Sequence, residues 1–85
     1  MNSILQDKSY TFAIQIVKLA QSLQKEQKEF VISNQVLRSG TSIGALIREA
    51  EFAQSHADYI NKFYISLKEA NETSYWLNLL KDTGY

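Results

Sequence analysis

Residues 37–50 read LRSGTSIGALIREA, and the fold turns on how this stretch is taken. It sets two of the chain's three glycines, Gly40 and Gly44, among Ser39, Thr41 and Ser42, directly ahead of a helical pattern. A loop that cradles phosphate would point to a nucleotide-dependent enzyme, whereas a thinned helix would point to close packing. A Walker-type loop needs four residues between its glycines and a Lys-Ser or Lys-Thr after them, because the lysine reaches the phosphates and the hydroxyl holds magnesium. Here three residues intervene and Ala45 follows. The dinucleotide fingerprint also fails, since no strand-like run precedes the segment. A spacing of four instead puts both glycines on adjacent turns of one helical face. Each glycine in a helix costs roughly 1 kcal/mol relative to alanine, so a close backbone contact is expected to offset that cost. Gly40 and Gly44, with Ile43 and Ile47, are therefore the expected helix-packing residues.

Working outward, the rest of the chain is also helical in pattern. There is no proline to break a helix. The first periodic segment runs from about Asp7, read as an N-cap, to about residue 29, with Phe12, Ile16, Leu19 and Leu23 on one stripe. The polar run QKEQKE ends it. Ser33 is expected to cap a second helix over about 33–53, whose stripe is Val36, Gly40, Ile43, Ile47 and Ala50. A third helix, over about 55–82, opens with Ser55 and Asp58 at capping-box spacing. Its stripe of Ile60, Phe63, Leu67, Ala70, Ser74 and Leu77 alternates by three and four, as suits neighbours crossing at shallow angles. Residues 1–85 thus form one domain, an all-α, antiparallel up-down helical bundle.

Composition narrows the function. The chain has 85 residues, no cysteine, and nine basic against nine acidic side chains. So short a chain buries a modest share of its surface, and help from a partner is expected. No signal-like or membrane-spanning apolar run is present, which predicts a soluble, cytoplasmic protein without membrane attachment. With one histidine and no cysteine, no metal or other cofactor is expected. His56 sits beside Ser55 and near Asp58, but neighbours on a helix point in different directions, so no catalytic triad forms locally. Glu49, Glu51, Glu69 and Glu72 lack the Glu-x-x-His partners of a di-iron bundle. Ion pairs with Arg38, Arg48, Lys62 and Lys68, or exposure to water, account for them better. No catalytic residue and no small-molecule substrate are expected.

A second apolar face is visible on each helix. Tyr10, Ile14 and Val17 lie roughly opposite the first stripe, Ala45 and Phe52 opposite the second, and Ile65 and Trp76 opposite the third. A lone small bundle is polar on that side, so these residues are the expected oligomer interface.

The segments VISNQVLRSGTSIGALIREA and FAQSHADYINKFYISLKEANETSYWLNLL carry a resemblance to the four-helix bundle family encoded by intervening sequences in 23S ribosomal RNA genes. That family is related to the accessory protein of diversity-generating retroelements. The likeness spans roughly residues 8–80, and LRSGTSIG and KEANETSYWL are its most specific pieces. It implies a non-enzymatic four-helix bundle that assembles into a pentamer. In the retroelement members it implies a partnership with RNA or DNA and a reverse transcriptase. Members continue into a fourth helix, whereas this sequence has the three long helices and stops at Tyr85, so the fourth is expected to be missing. For nucleic-acid binding the candidates are Arg38, Arg48, Lys62 and Lys68, since repetition around a ring would turn a modest patch into a positive band. The competing reading is a protein-only scaffold, because the net charge is zero and no basic run occurs.

Overall fold

The computed structural model describes residues 3–85, and among them it contains three helices and no strand. These are α1 (Ser3–Glu26), α2 (Val31–Ala50) and α3 (His56–Asp82). Helix α2 packs against both others, whereas the backbones of α1 and α3 do not approach each other. Their side chains still meet in one core of Ile16, Leu23, Val36 and Leu80, flanked by Phe12, Leu19, Ile32, Leu37, Trp76 and Leu77. Ile16 faces Gly40, Ser9 faces Gly44, and Gln24 bonds Ser33, so residue numbers fall along α2 as they rise along α1.

Several expected boundaries shift, each for a local reason. Helix α1 begins at Ser3, which leaves Asp7 inside it and not at its cap. Nothing in ILQD opposes a helix, so the helix extends through it. It stops at Glu26, and the chain then turns through Lys28 at φ 56°. Helix α2 starts at Val31 and ends at Ala50, three residues before the expected end. Its cap comes from Glu29, whose carboxylate accepts from the Ile32 and Ser33 amides at 3.0 and 2.7 Å. Ser33 is buried instead, donating to the Glu29 carbonyl and accepting from Gln24 Nε2. The third expected cap stands: Ser55 accepts from the Asp58 amide at 3.1 Å.

Burial raises the Glu29 carboxyl pKa, but hydrogen bonds from the Ile32, Ser33 and Val31 amides outweigh it and hold the pKa below the ordinary 4.5. A depressed pKa means stability that is present above the unfolded value and lost as pH falls through the folded one. Glu29→Gln is expected to cost about 0.5 kcal/mol at neutral pH, near the low end for caps because the carboxylate is solvated. The gap between the two melting curves should close as pH drops below 4.5. A gap that stays constant across that window would show that the charge is not what caps α2.

Candidate interaction surface

The glycine segment lies wholly inside α2, so its amides belong to the helix and no phosphate loop exists there. A Cβ built on Gly40 would stand 2.9 Å from both Cγ1 and Cγ2 of Ile16. One on Gly44 would stand 3.2 Å from Ser9 Oγ. Both glycines therefore seat α1 against α2. Ile47 is buried beside them and Ile43 is half-buried.

The opposite flank of α2 meets α3 through hydroxyls. Ser66 donates to the Ile43 carbonyl at 3.0 Å, and Ser39 accepts from Thr73 at 2.9 Å while donating to the Gln35 carbonyl. All three hydroxyl residues are buried, and small polar side chains here let the helices approach while every hydroxyl keeps a partner. Ser66, Thr73 and Leu80 recur every seven residues, and they form the stripe that faces α2. The stripe expected from the apolar pattern lies on a neighbouring face. Phe63, Ala70 and Leu77 are half-buried there, while Ile60, Leu67 and Ser74 are exposed. Serine and threonine in that heptad hid it from a search for apolar periodicity. The signal that could have found it is the recurrence of small hydroxyl residues at Ser66 and Thr73.

The candidate interface residues divide. Tyr10, Ile14 and Phe52 are exposed, Phe52 at 81 %. Val17, Ile65 and Trp76 are half-buried, and Trp76 packs on the core edge while its Nε1 donates to Glu72 at 2.9 Å. Tyr10 and Phe52 border a cleft of about 450 Å³ between α1 and α2, also lined by Gln6, Gly44, Ala45 and Arg48.

The candidate basic residues divide as well. Arg38 bonds Glu69 at 3.1 Å, and also Glu72 and Gln35. Lys62 Nζ lies 3.4 Å from Glu49. These pairs match the ion-pair reading for Glu49, Glu69 and Glu72, whereas Glu51 is exposed and has no ion pair among the described residues. Arg48 sits 5.9 Å from the centroid of the Tyr10 ring, and among the described residues neither it nor Lys68 has an ion pair. His56 is exposed at the start of α3 and stacks loosely on Tyr59, with centroids 6.3 Å apart. Among the described residues no helix is long and apolar enough to cross a membrane.

The arrangement offers surfaces for contact. No curated protein matches the chain. A crystal structure of a protein with unknown function, from the S23 ribosomal protein family of Bacteroides thetaiotaomicron VPI-5482, is 67 % identical. It superposes with a TM-score of 0.94, the alignment covering 95 % of this chain and 75 % of that one. The family model described as 23S rRNA-intervening sequence protein matches residues 1–85. With a match along its whole length and so similar a solved relative, the chain belongs to the 23S rRNA-intervening sequence protein family.

Proposed function

We propose that this protein is a non-enzymatic helical module that acts by self-association, three helices of an antiparallel up-down four-helix arrangement whose open apolar faces are covered by further copies and by a protein partner. The observation that carries this reading is apolar exposure on more than one side of the molecule. Tyr10 and Ile14 are exposed along α1, Phe52 just past the end of α2, and Ile60 and Leu67 along α3. Scattered apolar residues are ordinary on a monomer, but aligned ones of this size mark interaction sites. The pentamer implied by the family resemblance is one closed form such an assembly can take, and a cytoplasmic setting suits a chain without cysteine.

A second reading, an adaptor for structured RNA or DNA and its reverse transcriptase, is favoured by Arg48 and Lys68, which carry no ion pair among the described residues. Against it, Arg38 and Lys62 are already neutralised by acids. Titration with structured RNA and with duplex DNA across a range of salt separates the two, since each phosphate contact steepens the loss of affinity with salt. The expected result is no salt-steep binding by the purified chain at physiological ionic strength. Micromolar or tighter binding that falls steeply with salt, and that Arg48→Ala or Lys68→Ala weakens, would establish the adaptor reading instead.

A further inference from the structure

The α1–α2 cleft has a thin floor. Ser9 and Ala13 of α1 meet Gly44 and Ala45 of α2 there, and side chains this small leave about 450 Å³ open. Tyr10 of α1 and Phe52, just past the end of α2, add exposed rings to its lining. Small-molecule sites are typically clefts of roughly 300–1,000 Å³, mostly apolar, with a few polar groups that orient the ligand. The hydroxyls of this cleft are already used, since Ser9 donates to the Gln6 carbonyl at 3.0 Å and Thr41 to the Leu37 carbonyl at 2.6 Å. Its two charged side chains differ. Glu49 lies 3.4 Å from Lys62 Nζ, whereas Arg48 has no ion pair among the described residues. The charge left to the cleft is therefore positive. The Arg48 guanidinium stands over the Tyr10 ring, 5.9 Å from its centroid. Stacking of that kind uses the face of the guanidinium and leaves its N–H edge free to donate.

We propose that this cleft binds a small planar aromatic carboxylate, held as a ligand and not turned over. A flat ring suits a floor of Ala13, Gly44 and Ala45, and contact with the Tyr10 and Phe52 rings adds to the apolar surface it buries. The carboxylate meets Arg48, whose planar fork donates two parallel hydrogen bonds to such a group. Charge selects against the alternatives. A cationic ligand would face an unpaired guanidinium, and a neutral ring would leave that guanidinium without an acceptor. Ile14, Ile60 and Leu67 do not line the cleft, so a ligand in it leaves them open to further copies of the chain.

Amide NMR of the isotope-labelled full chain, titrated with naphthoate, tests the site, with naphthamide as an uncharged probe of nearly the same shape. Naphthoate is expected to give saturable shifts at Tyr10, Ala13, Ala45 and Arg48, and naphthamide to bind about tenfold more weakly for want of the charge-assisted hydrogen bonds. Arg48 is exposed and has no ion pair to lose, so Arg48→Gln should keep the fold and weaken naphthoate by about the same tenfold factor. Lys68→Gln removes a base outside the cleft and should leave the affinity unchanged. Ala45→Phe, at an exposed position of the floor, fills the cleft and should abolish saturable binding while circular dichroism stays helical. Equal affinity for the two probes, equal losses from Arg48→Gln and Lys68→Gln, or a wild type that binds neither probe would overturn the proposal. If Ala45→Phe lowers the mass in solution and the wild type binds no naphthoate, the cleft belongs to a second copy instead. Self-association is read from that mass and not from the probe, so the failure of one is distinguishable from the failure of the other.

Discussion

Gly40→Leu is expected to lower stability by roughly 2 kcal/mol, the balance of an overpacking cost near the upper end of 1 to 3 kcal/mol and a helix-propensity gain of about 1. For a chain of this size that is a fall in Tm of roughly 8–16 °C. The upper end applies because the new Cβ would meet two Ile16 carbons at 2.9 Å, and neither belongs to the free end of a flexible side chain. Ile16 is β-branched and 3 % exposed, so it has little freedom to swing away. Gly44→Leu meets Ser9 Oγ at 3.2 Å and should cost less. Gly40→Ala isolates the cause, since it carries the same Cβ without the rest of the leucine. It should fail to give the stabilisation that replacing a helical glycine usually brings. Thermal melts that leave Gly40→Leu at the wild-type Tm would show that α1 and α2 are not held this close.

Trp76→Glu should cost roughly 3 kcal/mol, the low end of the range for removing a tryptophan from a core, because the ring is half-buried. The change strips an aromatic wall from the core edge and removes the hydrogen bond to Glu72. It also adds a carboxylate one turn from Glu72, which already shares Arg38 with Glu69. So small a domain has little stability to spare, and unfolding or a shift to smaller species should follow. Lys62→Glu is the control. It breaks only the 3.4 Å contact with Glu49, a surface pair contributing about 0–1 kcal/mol, and the assembly should survive it. Equal losses from both substitutions in chemical denaturation would mean that Trp76 supports neither the core nor the assembly.

These two positions also show how far the sequence could be read. The stripes of α1 and α2 were visible in advance because Ile16, Leu23, Val36 and Ile47 are apolar and buried, and periodicity detects that combination. The role of Gly40 followed from the energetic cost of glycine in a helix, which needs a compensating contact. The start of α2 was misplaced because its cap is a glutamate two residues before the helix, where a short hydroxyl or carboxylate side chain is the usual signal. Helix α3 was harder. Apolar residues occupy more than half of its circumference, so no single stripe stands out, and the face against α2 is marked by Ser66 and Thr73. Trp76 was expected on an outer face and lies at the core edge, since a large indole can reach sideways over the turn beside it. Ion pairing of Arg38 and Lys62 with glutamates was readable, but which glutamate meets which base was not, because the partners Glu69, Glu72 and Glu49 come from other helices.

Self-association is tested most directly by the mass of the wild-type chain in solution, measured by multi-angle light scattering at micromolar concentration and physiological salt. The expected result is a discrete species of at least twice 9.8 kDa. A stable 9.8 kDa species that stays helical and unchanged on concentration would contradict it.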